Sequence, residues 1–476
     1  MPATPNPEQR LRKDSKMTIA PEHYPAMLAE LRQTFASGLT RDLAWRDAQL
    51  EAMGKLLSDN EEAIGRVLAE DLGKPPQEVL LGELALLFSG IRHTRKHLKR
   101  WARPRKVSTP AVGQPGRSWV QPEPLGVVLI LGAWNYPFQL IFGPLMPALA
   151  AGNCVVVKPS EIAPKSSALM AELIPLYLDQ RAVKVVEGAV DETTELLKQR
   201  FDHIIYTGGA AVGKIVMRAA SEHLTPVTLE LGGKSPCVID RDADLALAAR
   251  RLIWGKCINA GQSCIAPDYV LVSPEQRDDL VAAIDAELDK MYGEDRLGSA
   301  DYANIINARH FQRVRELLDD GKVVIGGGVD EARNRIEPTV LVDVAPDAPV
   351  MREEIFGPVL PILTVNDLDE AMAFILERDK PLAAYLFTRS KDSEQRFVET
   401  VSSGNMCIND VIMFMAVHEL PFGGVGMSGM GQYHGKVGFD RLSHLKAVMS
   451  RARTPEPPVR FAPYSELKMK LLRWLS

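Results

Sequence analysis

The sequence has few cysteines and aromatic residues and no long apolar run. Its 476 residues include 5 cysteines, with no C-x-x-C spacing, and 6% aromatic residues. This usage argues against a disulfide framework or a zinc cage and favours a reducing compartment, so we expect a cytoplasmic protein. Since no stretch approaches the roughly 18–20 apolar residues of a membrane span, we also expect no integral membrane segment.

A signal peptide and a large excess of charge are also lacking. Residues 1–16 are Pro-rich and charged, and we expect the head, residues 1–20, to be disordered. The 56 basic and 61 acidic side chains give a net charge of -5, which offers no reason to expect nucleic acid or an anionic membrane as a partner. The chain is too long for one hydrophobic core, so we expect two or three domains.

Short apolar runs alternate with helical patterns in two parts of the chain. A mainly helical segment, residues 21–101, comes first and ends in a basic run, 93–105, that we interpret as a solvated helix end. The first alternation has predicted strands at 127–131, 154–158, 184–187 and 202–206. The second has predicted strands near 269–272, 323–325, 340–342, 360–365 and 384–387. Buried strands joined by helices predict two doubly wound parallel sheets of an α/β fold.

Asn135, Lys158 and Thr207 fall just after predicted strands of the first sheet. Ligands bind beyond the carboxyl ends of such strands. Outside both patterns, residues 118–121 resemble a strand of the kind that often makes a subunit contact, and residues 435–449 read as a returning strand region. For residues 467–475 we favour a docked terminal helix over a membrane-surface segment.

Two glycine patterns need separate interpretation. Residues 424–429 match G-x-G-x-x-G but do not lie between a strand and a helix, so we predict a loop. Residues 208–214 match G-x-x-x-x-G-K directly after a strand, yet Ile215 stands where a magnesium-binding Ser or Thr would be. The free N–H groups at the start of the following helix favour a nucleotide phosphate, without metal-assisted phosphoryl transfer.

Cys264 lies in a turn of small residues, 254–267, which leaves its sulfur room to meet a ligand. By itself it could equally be a buried small apolar residue, the role we assign to Cys257. Glu230 could be a general base or a salt-bridge partner, and Asn135 could hold an oxyanion or shape a turn. Lys158 could bind hydroxyls or phosphate, as could Glu161, or it could be solvated.

Seven sequence blocks in this order resemble the NAD(P)-dependent aldehyde dehydrogenase superfamily, over roughly residues 28–449. They are WNYP (134–137), KPSE (158–161), TGGAAVGK (207–214), LELGGK (229–234), GQSC (261–264), EEIFGP (353–358) and LPFGG (420–424). The resemblance implies two doubly wound domains and a small strand-based oligomerisation element. It assigns residues 21–107 and 126–233 to NAD(P) binding and 234–405 to catalysis. Residues 108–125 and 435–455 would form the bridging element, and 456–476 the C-terminal tail.

The resemblance also implies roles for individual residues. Cys264 would be the nucleophile, Asn135 with the Cys264 N–H would hold the oxyanion, and Glu230 would activate the water that hydrolyses a thioester. No metal ligands are implied. The implied cofactor-binding residues are Trp134, Lys158, Glu161, Thr207, Gly208, Gly209, Val212, Gly213, Leu231, Glu354 and Phe356. Gly208-Gly209 replaces the usual Gly-Ser of this loop and removes one hydroxyl contact.

Residues 424–435, 223–228 and 463–465 resemble the class-three branch of this family. That branch implies a homodimer and an apolar aldehyde substrate, either medium-chain aliphatic or aromatic, including the coniferyl type. Glu161 would accept hydrogen bonds from a ribose 2′-OH and repel a 2′-phosphate, so we favour NAD. Lys158 could offset that repulsion, which leaves NADP possible.

Two alternatives have different functions. A P-loop-like nucleotide hydrolase would need the hydroxyl that Ile215 lacks. An inactive homologue would have no need to keep Cys264, Glu230 and Asn135 together.

Overall fold

The computed structural model describes residues 19–454 and 458–475. The predicted disordered head therefore lies, apart from residues 19 and 20, outside the described residues. The described residues contain eighteen strands. They are β1 Arg105–Val107, β2 Gly116–Pro124, β3 Val127–Leu131, β4 Cys154–Lys158, β5 Val183–Val185, β6 His203–Thr207, β7 Val227–Glu230, β8 Pro236–Ile239, β9 Tyr269–Val272, β10 Lys322–Ile325, β11 Val329–Asp330, β12 Arg335–Ile336, β13 Thr339–Val342, β14 Val359–Thr364, β15 Ala383–Phe387, β16 Asn405–Ile408, β17 Gly429–Met430 and β18 Ser443–Arg451.

The helices alternate with these strands after a helical N-terminal part. They are α1 Tyr24–Ala36, α2 Leu43–Asp59, α3 Glu61–Leu72, α4 Pro76–Val79, α5 Ala85–Trp101, α6 Gln139–Ala151, α7 Pro164–Tyr177, α8 Val190–Leu197, α9 Ala210–Ser221, α10 Leu245–Cys257, α11 Pro274–Tyr292, α12 Ala308–Glu316, α13 Pro349–Arg352, α14 Leu368–Leu376, α15 Lys391–Thr400, α16 Gly435–Arg441 and α17 Glu466–Leu475.

The first sheet has the order β17-β7-β6-β3-β4-β5. All neighbours are parallel except β17, which pairs antiparallel with β7. Every residue of β3, β4 and β6 is buried, as expected for strands covered by helices on both faces. The carboxyl ends of β3, β4, β6 and β7 therefore meet at one edge, which carries Asn135, Lys158, Thr207 and Glu230.

The second sheet has the order β10-β13-β14-β9-β8-β15-β16 and is parallel except for β10. Two loops that leave its elements face the first sheet. One, between α10 and β9, carries Cys264, and the other, between α13 and β14, carries Glu354 and Phe356. This architecture confirms the predicted α/β fold with two doubly wound sheets.

A separate antiparallel sheet, β1-β2-β18, forms the strand element. Its long pair runs from Ser443 opposite Pro124 to Arg451 opposite Gly116. Two details of this sheet differ from the predicted strands. Strand β1 lies before residue 108, and all three of its residues are exposed, so no apolar pattern marked it. Residues 435–441 form helix α16 and pack on α6, and the returning strand begins only at Ser443.

Two strands of the first sheet differ from their predicted bounds. The strand predicted at 184–187 is β5, which spans Val183–Val185. It begins one residue earlier than predicted because the turn that starts at Asp179 ends at Val183. The strand predicted at 202–206 begins at His203, since the Asp202 carboxylate accepts a hydrogen bond from the Val127 N–H at 2.8 Å and thereby ends the loop.

The C-terminal residues form the predicted helix, α17, which lies against the turn Ala111–Gly113. It is not docked through its apolar side chains, however, because Leu467 is 77% and Trp474 80% exposed in this chain. Among the helices of the described residues, none combines the length and the apolar character needed to cross a membrane.

Candidate active site

The turn before Cys264 contains three consecutive residues in the left-handed region. After α10, Asn259 has φ 54°, Ala260 has φ 51° and Gly261 has φ 74°. A Cβ on Gly261 would lie 2.3 Å from the Gly357 carbonyl oxygen, so the turn needs glycine there for space as well as for conformation. A left-handed residue with a side chain costs roughly 1–2 kcal/mol, so other contacts must hold this turn.

Side chains inside and outside the turn supply those contacts. The Gln262 side chain donates to the carbonyl oxygens of Asn259 and Asn304 at 2.9 Å, and its own oxygen accepts the Ile306 N–H at 2.9 Å. The Asn259 N–H donates to a Glu78 carboxylate oxygen at 2.7 Å. Burial raises the pKa of Glu78 to about 7. The role of Glu78 was not predicted, because its burial depends on the packing of α4 against the turn.

Asn135 lies against the same turn and is almost fully buried. Its Nδ2 donates to the Gln262 carbonyl oxygen at 3.1 Å, and its own carbonyl oxygen accepts from Asn259 Nδ2 and Lys74 Nζ, both at 2.9 Å. These bonds use only one of the two Nδ2 hydrogens. The amide therefore has a fixed position and a second hydrogen available to a ligand.

A buried ion pair, which the sequence does not predict, holds the backbone of Asn135. Lys74 Nζ lies 2.8 Å from Glu83 Oε1, with both side chains fully buried, and 3.9 Å from the centre of the Tyr136 ring. The second oxygen of Glu83 accepts the Gln139 N–H at 2.8 Å. Burial raises the pKa of Glu83, and the charge of Lys74 opposes that shift. In the sequence these are ordinary charged residues of helical segments, and only tertiary packing reveals their pairing.

Glu230 ends β7 and is 3% exposed. Neither of its carboxylate oxygens has a hydrogen-bond partner within the described part of the chain. Burial raises its pKa well above the ordinary value of 4.5, which favours the neutral acid. The Tyr433 hydroxyl is likewise buried and unpaired among these residues, and the charge of Glu230 contributes to its raised pKa.

Cys264 is partly exposed, and its thiol lies within electrostatic reach of Glu230 and Glu354. Burial raises the pKa of the thiol, and the negative charges of these two carboxylates raise it further. The backbone N–H groups of Cys264 and Ile265 are directed at the sulfur and act in the opposite direction. The structure thus brings Cys264, Glu230 and Asn135 to one site.

The glycine loop that the sequence predicts to hold a phosphate, residues 208–214, runs from the end of β6 into α9. Gly208 has φ 156°, and a Cβ there would lie 2.3 Å from the Tyr206 hydroxyl. A Cβ on Gly213 would lie 2.9 Å from the Leu231 side chain, so this glycine lets the helix approach β7 closely. Gly209 has open space around it, and no side chain of the described residues caps α9. The first turn of α9, with Val212 exposed, therefore offers unpaired N–H groups to an anion.

The other predicted cofactor residues lie along the same edge. Lys158 is 5% exposed and its Nζ lies 3.1 Å from Glu161 Oε2, while Glu161 is 41% exposed. The Trp134 ring packs against Phe356 with centroids 5.3 Å apart. Phe356 has φ 49°, and this loop is held by Arg313, whose guanidinium donates to the Ile355 carbonyl oxygen.

Glu354 sits in the same loop, directly against Gly232. A Cβ on Gly232 would lie 1.7 Å from a Glu354 carboxylate oxygen, so the glycine leaves room for this carboxylate. The other oxygen of Glu354 is buried and has no partner among the described residues. Burial raises the pKa of Glu354, and the charge of Asp268 raises it further. A buried carboxylate oxygen without a partner is unusual and fits a ligand hydroxyl donor.

A buried charge cluster under this loop was not predicted. Lys234 Nζ lies 2.5 Å from Asp268 Oδ2, and the other oxygen of Asp268 accepts the Ile355 N–H at 3.1 Å. Lys256 Nζ is 3.9 Å from Asp268, and burial lowers the pKa of Lys256 to about 8. Lys234 belongs to a glycine-rich block of the sequence, but nothing there signals that its partner is Asp268.

The model of the aldehyde dehydrogenase family matches residues 17–448. The chain belongs to this family. It is 48% identical over 454 residues to "Aldehyde dehydrogenase family 3 member H1" of Arabidopsis thaliana, covering 94% of each chain. It is 50% identical over 421 residues to "Aldehyde dehydrogenase, dimeric NADP-preferring" of Rattus norvegicus, covering 88% of this chain and 93% of the relative.

A solved structure, "Substrate bound state of Staphylococcus Aureus AldH", superposes on this aldehyde dehydrogenase with a TM-score of 0.92. The two chains are 42% identical, and the match covers 94% of this chain and 98% of the other. The predicted family, its class-three-like branch and an NAD(P)-dependent aldehyde oxidoreductase activity are therefore confirmed. The alternative of a P-loop nucleotide hydrolase is wrong.

Proposed function

We propose that this aldehyde dehydrogenase oxidises an apolar aldehyde, medium-chain aliphatic or aromatic and including the coniferyl type, to the free carboxylic acid. One observation carries the proposal. A buried carboxyl, Glu230, has no hydrogen-bond partner in the described part of the chain and shares a site with a thiol, Cys264, and with an amide, Asn135, that has a hydrogen to donate. A base beside a thiol nucleophile is the arrangement that thioester hydrolysis needs.

Cys264 is the proposed nucleophile, attacking the aldehyde carbonyl carbon as the thiolate. The carbonyl oxygen gains negative charge in this step. Asn135 Nδ2 and the Cys264 N–H are the donors that would stabilise it, and the fixed position of Asn135 means that little reorganisation is needed. The chemistry that a bound NAD or NADP supplies is the acceptance of one hydride, which leaves a thioester on Cys264.

Glu230 is the proposed base for hydrolysis of that thioester. A carboxylate whose pKa is raised by burial is a stronger base than an exposed one, and its two oxygens have no competing donors among the described residues. It would take a proton from water as the water oxygen attacks the thioester carbon, and Cys264 would leave as the thiolate. The product is then a free acid.

The residues at the sheet edge fit the cofactor. We propose that the first turn of α9, with Thr207, Gly208, Gly209, Val212 and Gly213, holds the pyrophosphate. Lys158 and Glu161 would contact the adenosine ribose. Glu354, Phe356, Trp134 and Leu231 would position the nicotinamide half, and the unpaired oxygen of Glu354 is suited to accept a ribose hydroxyl.

For cofactor preference we propose NAD, with NADP accepted. Glu161 would oppose a 2′-phosphate, but its ion pair with Lys158 reduces that effect. The rat relative carries "NADP-preferring" in its name. The division of the chain into cofactor-binding and catalytic domains is proposed as predicted, with the first sheet and the second sheet as their centres.

We also propose a homodimer in the cytoplasm. The strand element exposes apolar side chains, including Val107, Leu445 and Met449, which are 39%, 45% and 53% exposed. The rat relative is named "dimeric". All five cysteines are unpaired, which fits a reducing compartment.

The proposed nucleophile is tested by Cys264→Ala. This variant should form no NADH or NADPH from a panel of aliphatic, benzylic and cinnamyl aldehydes, while its cofactor affinity stays at the wild-type value. Cys407→Ala, at a partly exposed cysteine outside the site, should remain active. Full activity in Cys264→Ala contradicts the mechanism, and a wild type that oxidises none of these aldehydes with either cofactor would contradict the proposed substrate class.

A further inference from the structure

Three side chains with metal-binding atoms converge at the end of α5, outside the proposed catalytic residues. His93 and His97 lie one helical turn apart on α5, and Glu419 lies in the loop that follows β16. One ligand atom from each lies within 4.8 Å of the other two. His93 Nε2 and Glu419 Oε1 lie 3.5 Å apart.

Two nitrogens of this cluster have unused hydrogen-bonding capacity. His93 Nε2 and His97 Nδ1 are shielded from solvent and have no hydrogen-bond partner in the described ranges. The two rings are in contact, with centroids 4.4 Å apart. Buried polar atoms nearly always have a hydrogen-bond partner in native proteins, so two neighbouring nitrogens without a partner among the described residues point to a missing ligand.

The electrostatic surroundings fit a cation with nitrogen and oxygen ligands. Glu419 supplies a negative charge and is 66% exposed, so its side chain can move to a ligand. Lys96 adds a small repulsion from the solvent side. The nearby His418 is already engaged, with its Nε2 2.9 Å from the Ser89 hydroxyl.

We propose that His93, His97 and Glu419 form a binding site for one divalent transition-metal ion of the zinc type. Imidazole nitrogens select such ions over magnesium or calcium, which prefer all-oxygen sites. Metal–nitrogen bonds of about 2.0–2.1 Å place tetrahedral ligands roughly 3.4 Å apart. The three atoms reach that spacing by side-chain rotation, chiefly of the exposed Glu419, and water completes the coordination.

The metal would fix the loop that carries Glu419 against α5. Both elements line a small cavity of about 30 Å³, whose wall includes Gly90, Met415 and His434. Gln139, the residue whose N–H is held by Glu83, lines the same cavity. Metal binding would therefore link two elements that line this cavity.

Cobalt titration of the full-length enzyme, free of affinity-tag histidines and stripped by a chelator, tests the proposal. We expect one equivalent of Co²⁺ per chain, with visible d–d bands and no sulfur-to-metal charge-transfer band. The affinity should fall at least about tenfold in Glu419→Gln and in His97→Ala, because even changes to outer-shell partners commonly cost about 10–100-fold. The matched control His23→Ala, at an exposed histidine elsewhere, should bind as the wild type does.

A second readout separates binding at this site from misfolding of a variant. The thermal midpoint of the wild type and of His23→Ala should rise with Co²⁺, and that of Glu419→Gln should rise less at the same Co²⁺ concentration. Equal affinity in Glu419→Gln, His97→Ala and the wild type would overturn the proposal. So would the absence of binding in the wild type, or a charge-transfer band showing that a cysteine such as Cys264 holds the ion.

Discussion

Replacing Glu230 by Gln removes the proposed base while keeping its shape. General-base catalysis contributes about 10²–10⁴ to a rate, which is about 2.7–5.4 kcal/mol of barrier. We therefore expect hydrolysis of the Cys264 thioester to slow by that factor. A burst of one NADH per active site should remain, followed by a slow steady state, and intact-mass spectrometry should show the acyl group on the enzyme.

Although Glu230→Gln should slow the reaction, it should raise the stability of the folded protein at pH 8. The pKa of Glu230 is raised in the folded state above the ordinary 4.5, so folding takes up a proton once the pH exceeds about 4.5. Wild-type stability falls as the pH rises from there through the folded pKa, by about 1.4 kcal/mol per unit of pKa difference. Glu230→Gln lacks this loss and should unfold at a higher temperature than the wild type at pH 8, with the difference shrinking towards pH 4.

The control for both measurements is Glu294→Gln, at an exposed glutamate. It should hydrolyse the thioester normally, and its stability should follow the wild type at every pH, since surface substitutions usually change stability by less than about 0.5 kcal/mol. The reasoning fails if Glu230→Gln turns over as fast as the wild type with no trapped acyl group. It also fails if that variant is destabilised more at pH 8 than at pH 4.

Three further changes test the support of the site and the assembly. Gly261→Ala should lose activity and more than about 1–2 kcal/mol of stability in urea titrations, because the residue has a positive φ and the added Cβ would collide with Gly357. Gly65→Ala, at a position in α3 with open space around it, should be neutral or stabilising, and equal effects of the two substitutions would contradict the role of the turn. Lys74→Met should lower the free energy of unfolding in urea by about 3–5 kcal/mol, because it leaves the Glu83 charge buried without its counter-ion. The double variant Lys74→Met with Glu83→Leu should recover most of this loss, and a single variant as stable as the wild type would refute the reasoning. Light scattering should show that Leu445→Asp, in strand β18, converts the proposed dimer to monomers, whereas Leu376→Asp, at an exposed leucine elsewhere, leaves it intact. If Leu445→Asp is still a dimer, the exposed face of the strand element is not the interface.

Strands β3 and β4 were predictable from their apolar runs, and the residues that follow them were therefore expected at the edge of the first sheet. The roles of the catalytic candidates were predictable only from the family resemblance. The supporting side chains were not predictable. Glu78, Lys74 and Glu83 act through burial, which arises only when residues 74–84 pack against Asn135 and the turn before Cys264. Strand β1 is exposed along its whole length and so has no apolar signal.

The basic run at 93–105 shows the same limitation in another form. It was interpreted as a solvated helix end, and its lysines and arginines at 96, 99 and 100 are indeed exposed. His93 and His97, however, turn towards the loop that carries Glu419. A charge run does not show which face of the helix each side chain occupies, so the pairing of the two histidines is visible only in the structure.

The short strand β17 has a consequence for the order of folding. It places Gly429 opposite Glu230 and Met430 opposite Leu229, so the last strand of the first sheet comes from chain made after the whole second sheet. During synthesis the N-terminal part can collapse around β3, β4 and β6, but the strand that carries Glu230 remains an open edge until residue 430 has left the ribosome. Because such long-range pairing forms late, we expect Glu230 to be among the last residues of the first sheet to gain protection from hydrogen exchange.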